Sequence, residues 1–276
     1  MVVTRQDVRR GLRALGLAGR AVCLHSSLRS FGRVEGGAAE VVGAFLDEGC
    51  TLLVPAFSPV FEVAPPLHLR FERNGWDYGA GPAPNHNPES VYTPEATDVD
   101  RHMGAIPAAV VAWPGRARGN HPLDSFAAVG PCAAELVAGQ APLDVYAPLR
   151  ALIRAGGFVL LMGVGLERLT LLHLAEQAAG RTLFRRWAND PCGRPVAVEV
   201  GGCSEGFGKL EPHLRRVARA ESVGQSRWTL LPAGEALARA AAAIRADPAI
   251  THCGVRGCER CDDAVKGGPL LPAGRD

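Results

Sequence analysis

Four places in the chain carry side chains whose types and spacing could do chemistry. His121 precedes Pro122 in the run Asn120-His121-Pro122-Leu123-Asp124. The proline fixes its own φ and steers the residue before it away from the helical region, so the imidazole sits on extended or turn backbone. A histidine mounted that way either caps the turn or works as a base near neutral pH. Thr170, His173 and Glu176 follow one another at intervals of three, which puts them on one side of a helix, imidazole and carboxylate together. The competing reading of the latter two is a satisfied semi-buried histidine and a solvated glutamate. Gly202-Cys203-Ser204-Glu205-Gly206 matches the G-x-S-x-G nucleophile elbow, with Asp247 and His252 as the acid and histidine downstream. Finally, Cys258 and Cys261 have the spacing of half a zinc knuckle. His252, Cys253 and, by tertiary contact, Cys203 are available to complete a site of three sulfurs and one nitrogen; the alternative is free thiols in a solvated tail.

Positioning these groups requires alternating strands and helices. Thr4 with Asp7 forms a capping-box pattern before a helix over 4–16, and Ala21-Val22-Cys23-Leu24 reads as a buried strand. That strand runs into His25-Ser26-Ser27-Leu28-Arg29-Ser30-Phe31-Gly32, whose hydroxyls, Arg29 and following helix over 37–46 suit phosphate groups. A second strand over 51–57 leads into a long Pro- and Gly-rich stretch, 58–100. Loops of that length are usually functional or disordered, and its aromatic and acidic residues, Asp77, Tyr78 and Tyr92 among them, predict a substrate-facing lid for a cationic sugar. Further helices are expected at 103–113, 132–138, 148–155 and 233–247, and further strands at 126–129, 157–163 and 196–200. This alternation predicts an α/β fold with a mainly parallel sheet flanked by helices. After the strand at 157–163, Gly163-Val164-Gly165 lacks the third glycine of a dinucleotide fingerprint, because Arg168 stands there.

Composition narrows the partners. With 276 residues the chain can bury a substantial core, and 30 basic against 28 acidic residues give a net charge of only +2. No basic run is interleaved with aromatics, which argues against nucleic acid. No apolar run reaches the roughly 20 residues that span a bilayer. The reading is a soluble cytoplasmic protein, a monomer or homodimer, with small-molecule partners. Eight cysteines in a reducing compartment suggest thiols or metal ligands rather than disulfides.

Taken in order, His25 to Gly32, Gly36-Gly37, Met103-Gly104-Ala105-Ile106-Pro107, Pro114-Gly115, His121-Pro122, Ser125-Phe126-Ala127-Ala128, Leu160 to Gly165 and Thr170 to Glu176 resemble the aminoglycoside 3-N-acetyltransferase family over about residues 5–262. The resemblance implies an α/β fold distinct from the GNAT acetyltransferases, in one domain over 1–276, with 58–100 as a substrate-side loop and 248–265 as a zinc-knuckle tail. It implies transfer of acetyl from acetyl-CoA to the 3-amino group of a 2-deoxystreptamine aminoglycoside. By the same resemblance, His121 matches the histidine beside the thioester and Glu176 a carboxylate at the active site; an imidazole with an ordinary pKa of about 6.5 makes His121 the expected general base. Ser26, Ser27, Leu28, Arg29, Ser30, Gly32, Ser125 and Phe126 contact the coenzyme. The acceptor is expected at Asp77, Tyr78, Tyr92, Thr170 and His173. The tail resembles the family's apramycin-type branch, which implies structural Zn²⁺ on Cys203, His252, Cys258 and Cys261. Three departures from the family pattern stand out: Gln140 stands where the resemblance leads one to expect a histidine, Ala147-Pro148-Leu149 where it leads one to expect Ser-Pro-Leu, and the stretch 58–100 is longer than the usual loop, which bears on acceptor specificity. The alternatives are acetylation of another amine, a serine hydrolase using Ser204, and a CoA- or sugar-binding protein without activity.

Overall fold

The computed structural model describes residues 2–81, 84, 85 and 87–271. In chain order its elements begin with β1 (Val2–Val3), α1 (Arg5–Ala14), β2 (Ala21–Ser26), β3 (Arg33–Val34), α2 (Ala38–Asp47) and β4 (Thr51–Pro55). After a long irregular stretch come α3 (Ala105–Val111), β5 (Ala117–Arg118), β6 (Phe126–Val129), α4 (Ala133–Val137), α5 (Ala147–Arg154), β7 (Phe158–Met162) and α6 (Leu171–Ala178). The chain closes with β8 (Phe184–Asn189), β9 (Pro195–Val200), α7 (Glu211–Leu214), β10 (Arg219–Val223), β11 (Ser226–Pro232), α8 (Ala233–Ala246) and α9 (Glu259–Val265).

Seven strands pair in the order β10-β11-β7-β2-β4-β6-β5. β7, β2 and β4 run parallel, while β11 and β10 on one side and β6 and β5 on the other add antiparallel strands. The sheet expected to be mainly parallel is therefore mixed, parallel through its three central strands. Connections explain the difference. Parallel neighbours need a crossover, which α2 supplies between β2 and β4, whereas the Gly224-Gln225 turn between β10 and β11 is short enough only for a hairpin.

The central strands read as continuous apolar runs because both faces of the sheet are covered. Successive residues go to opposite cores. Cys23, Leu53, Val159 and Leu161 pack among α4, α5, α6 and α8. Val22, Leu24, Leu52, Val54, Leu160 and Met162 pack among α1, α2 and α3. The expected capping box is present: Thr4 Oγ1 accepts from the Asp7 amide at 3.3 Å, and Asp7 Oδ2 accepts from the Thr4 amide at 2.9 Å. The helix expected over 103–113 is split at Gly104 (φ +90°) into a 3-10 turn, Arg101–Met103, and α3.

The β8–β9 hairpin stands outside the main sheet, and the stretch 58–100 is fastened to it. The Val63 amide donates to the Trp187 carbonyl (2.9 Å), Asn74 exchanges side-chain hydrogen bonds with both backbone groups of Arg185, and Asn189 donates to the carbonyls of Pro88 and Ser90. Buried Arg118 ties the same stretch to the sheet by donating to the carbonyls of Ala56, Ala96 and Asp98. Phe61, Tyr92, Leu123, Phe184, Ala188, Val198 and Val200 form the apolar core beneath. Among the described residues no helix is long and apolar enough to cross a membrane.

Candidate active site

A cleft of about 1980 Å³ opens where β2, β4 and β7 end. Crevices at the carboxyl ends of parallel strands are where open α/β sheets bind ligands. Typical pockets for one small molecule are about 300–1,000 Å³, so this one has room for two substrates. Ser26 to Ser30 line it after β2, Phe57 and Pro59 after β4, and Gly163 to Gly165 with Glu167 to Thr170 after β7. At one end, Ser30 hydrogen-bonds Ser226 at 2.7 Å and the Gly163 amide donates to the Arg227 carbonyl at 2.8 Å, so the Ser26–Ser30 loop lies against β11. Gly32 does not line the cleft; it closes the 3-10 turn behind the loop at φ +81°.

His173 lies on the wall between the two ends of the cleft. Its Nδ1 is 2.8 Å from Glu176 Oε2, the two residues one turn apart on α6. A carboxylate only accepts, so Nδ1 carries the proton and Nε2 is left with the lone pair. Glu176 Oε1 is held by Arg181 and by Thr251 Oγ1 (3.1 Å), and Arg181 is fixed in turn by Thr251 and the Pro248 carbonyl. The imidazole plane lies within 7° of the Tyr146 ring and meets the edge of Phe207 at 4.8 Å. Gly201 completes the mount, since a Cβ there would come within 2.7 Å of the Tyr146 hydroxyl and 2.8 Å of His173 Cδ2. Asp124 lines the cleft beside this group, and burial pushes its carboxyl up to about 7. His25, at the end of β2, is driven down to about 4 by burial and stays neutral.

His121 is elsewhere. It is wholly inaccessible and absent from the cleft wall, its Nδ1 accepts from the backbone amides of Asp124 (2.8 Å) and Leu123 (3.3 Å), and its Nε2 is buried without a hydrogen bond among the described residues. Burial lowers it to about 4. The turn that Pro122 imposes is thus the reason the ring cannot reach the cleft: the imidazole caps it. Ser125 and Phe126 are likewise fully buried, Ser125 between the Ala56 carbonyl (2.9 Å) and Arg118 (3.0 Å). Gln140 accepts from the Phe126 amide and donates to the carbonyls of Asp124 and Val145, a structural tie away from the cleft wall.

Of the three acceptor residues expected on the long stretch, none reaches the cleft wall. Asp77 is exposed and caps the Gly79 amide, Tyr78 accepts from Asn74 and edges onto Trp187, and Tyr92 donates to the Gly119 carbonyl. The stretch reaches the cleft instead through Pro59, Glu62 and Asp100, and the hairpin contributes Arg186. Thr170 lines the cleft with His173. Arg181, Thr251, Tyr146 and Asp124 complete this group from positions that no local pattern in the sequence marks.

The thiols of Cys203, Cys253, Cys258 and Cys261 lie within 4.8 Å of one another and could hold a metal ion. Four sulfurs about 2.3 Å from a tetrahedral Zn²⁺ need this clustering. The Cys253 amide also donates to Cys261 Sγ at 3.3 Å and the Val255 amide to Cys253 Sγ at 3.4 Å, the donors a thiolate ligand wants. The fourth group at the cluster is Cys253 in place of His252. His252 is turned outward, with Nε2 3.0 Å from Asp262 and Nδ1 accepting from the Gly254 amide. Gly206 allows the approach of the Cys203 loop, because a Cβ there would collide with the Thr251 carbonyl.

Fold and site together define an open α/β sheet with a cleft at its carboxyl edge large enough for two ligands. The aminoglycoside 3-N-acetyltransferase family model matches residues 23–245, and the chain belongs to that family. An aminoglycoside N(3)-acetyltransferase IX of Micromonospora chalcea is 38% identical over 64% of this chain and 63% of its own length. The chain spans 61–63% of the length of the first three curated relatives it matches. The crystal structure of the aminoglycoside acetyltransferase AAC(3)-IVa apoenzyme superposes with a TM-score of 0.75 at 25% identity, covering 97% of this chain and 98% of that one. AAC-IIIb in binary complex with CoASH gives a TM-score of 0.69 at 26% identity, over 89% and 97%.

Proposed function

We propose that the chain transfers acetyl from acetyl-CoA to the 3-amino group of a 2-deoxystreptamine aminoglycoside, with His173 as general base and Glu176 as the group that orients it. The observation that carries this reading is the 2.8 Å His173–Glu176 contact on the wall of a cleft large enough for donor and acceptor. An ammonium has no lone pair, so the acceptor must shed a proton to attack. Once that first proton has left to solvent, Nε2 takes a second from the amine nitrogen as the C–N bond forms; the thioester C–S bond then breaks, and the proton on Nε2 passes to the departing thiolate, leaving neutral amide and CoA. Glu176, pinned by Arg181 and Thr251, fixes the tautomer and stabilises the imidazolium. The coenzyme end is assigned to Ser26–Ser30, and a relative solved with CoASH shares the fold over most of both chains.

We infer further that the four thiols hold a structural Zn²⁺, since four protein ligands leave no open position for a substrate. The chain would then act as one catalytic unit, with 58–100 a buttress for the β8–β9 hairpin and 248–265 a metal-stapled tail. Ser204 lines the cleft, but the serine hydrolase reading lacks its base: Asp247 caps the Ala249 amide and His252 is bonded to Asp262 and Gly254. Thiol release from acetyl-CoA over a panel of aminoglycosides, with the product's acetyl group located by NMR, tests the proposal. Release that depends on an aminoglycoside and vanishes in His173→Ala is expected; no release with any acceptor would overturn it.

A further inference from the structure

The four-thiol cluster and the base are built on the same two short segments. Cys203 lies in the loop after β9, and Cys253 in the segment after α8. Two residues of chain reach at most about 7 Å, so whatever fixes these two sulfurs also restrains Gly201 and Thr251. Gly201 packs so closely on the imidazole that a Cβ there would come within 2.8 Å of His173 Cδ2. Phe207, just beyond Cys203, sets its ring edge-on to the same imidazole, with centroids 4.8 Å apart. The two segments meet at Gly206, where a Cβ would collide with the Thr251 carbonyl, and Lys209 donates to the His252 carbonyl at 2.6 Å.

Thr251 reaches the base from its carboxylate side. Its hydroxyl donates to Glu176 Oε1 at 3.1 Å and accepts from Arg181 Nη1 at 2.8 Å, and the same Nη1 donates to Oε1. The three atoms form a closed triangle that holds Oε1, leaving Oε2 for His173 Nδ1 at 2.8 Å. Thr251, Arg181 and Glu176 are all buried. A buried ion pair is stabilising only when further hydrogen bonds satisfy its remaining donors and lone pairs, and a hydroxyl is donor and acceptor at once. Arg181 is also anchored by the Pro248 carbonyl, from the same segment as Thr251. The carboxylate that orients the base thus takes its bearing from the chain that enters the thiol cluster.

We propose that Thr251 is a positioning residue for the His173–Glu176 pair and that a metal held by the four thiols sets its place, so that metal loading of the tail governs the competence of the base. This rests on the acetyl-transfer and metal readings and adds a link between them. Zn²⁺ with sulfur ligands at about 2.3 Å would tie Cys203 to Cys253. Thr251 then stands where its hydroxyl completes the triangle, and Gly201 where the imidazole stacks on Tyr146. Loss of the metal frees both segments and lets Glu176 turn from Nδ1. Neither Thr251 nor any of the four thiols lines the cleft, so the effect falls on kcat rather than KM.

The test uses the metal-loaded protein with Thr251→Val, which keeps the shape and loses the hydroxyl, and Thr251→Ser, which keeps the hydroxyl. Thr251→Val is expected to retain its metal and to lose about 10- to 100-fold in kcat with KM within a few-fold, while Thr251→Ser recovers most of the loss. Thr251→Ala takes its place should Thr251→Val not fold. A readout independent of turnover is nitrogen NMR of the His173 ring, assigned by difference from His173→Gln. A single Nδ1–H tautomer is expected in the wild type and mixed tautomers in Thr251→Val. Chelation of the wild type, at a temperature where circular dichroism stays native, should give the same mixed signal, and added Zn²⁺ should restore the single one. Unchanged kcat and ring signal in Thr251→Val overturn the role of Thr251. Protein purified without metal, or a chelated, folded protein with the wild-type ring signal, overturns the coupling. If the wild type releases no thiol from acetyl-CoA, the acetyl-transfer reading fails while the ring signal still decides this one.

Discussion

His121 and His173 are both buried histidines in motifs of the same family, yet their surroundings differ in the one respect that matters for catalysis. His121 spends Nδ1 on two backbone amides, and its Nε2 is buried without a hydrogen bond among the described residues. His173 spends Nδ1 on a carboxylate, itself held by Arg181 and Thr251, and stands on the cleft wall. A carboxylate partner can orient an imidazole and balance its charge, whereas burial drives the His121 ring toward its neutral form. The contrast teaches that a rigid backbone mount is compatible with either fate, and that the second partner decides.

Breaking the contrast gives the largest expected effects. His173→Ala or Glu176→Gln should lower kcat by about 10²–10⁴-fold, the usual worth of a general base, with circular dichroism unchanged. His121→Asn, whose Oδ1 can replace Nδ1 as acceptor of the Asp124 amide, should keep kcat within a few-fold and show its cost in Tm. The reverse pattern would return the base to His121.

The metal tail offers the next largest. Chelation should lower Tm, and Cys253→Ser should reduce zinc content as severely as Cys258→Ser, with His252→Ala leaving zinc nearly stoichiometric. Full zinc retention in Cys253→Ser alongside loss in His252→Ala would restore the histidine as fourth ligand.

Acid stability sharpens the comparison further. His25 and His121 are held at about 4 against an ordinary value of 6.5, so the unfolded chain binds more protons across that window and stability falls as pH drops from 6.5 toward 4. Asp124, raised from 3.8 to about 7, works the other way, with stability falling as pH rises between those values. Denaturant titrations of His121→Asn should therefore show a flatter acid limb than the wild type, and Asp124→Asn a steeper one. The smallest effect belongs to the cap: Thr4→Ala should cost about 1 kcal/mol in chemical denaturation and leave kcat unchanged.

Much of the architecture was legible because it depends on short-range chemistry. The apolar runs at 21–24, 51–57 and 157–163, the Thr4–Asp7 box and the i, i+3 spacing of His173 and Glu176 all became what local pattern implies. The loop Ser26 to Ser30 reached the cleft because residues following a parallel strand emerge at its carboxyl end. The misreadings share one cause. Tyr78, Tyr92, Ser125 and Phe126 are polar or aromatic residues near functional segments, and nothing in their neighbours along the chain says whether a side chain turns inward or toward a ligand.

The positions of the main strands and helices, the helix faces and the family resemblance were thus written in residue periodicity, turn chemistry and ordered motifs, since each depends on neighbours within a few positions. The choice of base and the fourth thiol were decided only in three dimensions. Glu176 meets Thr251 from 75 residues away, and Cys203 joins a tail 50 positions on. Desolvation and charge pairing depend on what is near in space, and a linear reading carries no measure of that distance.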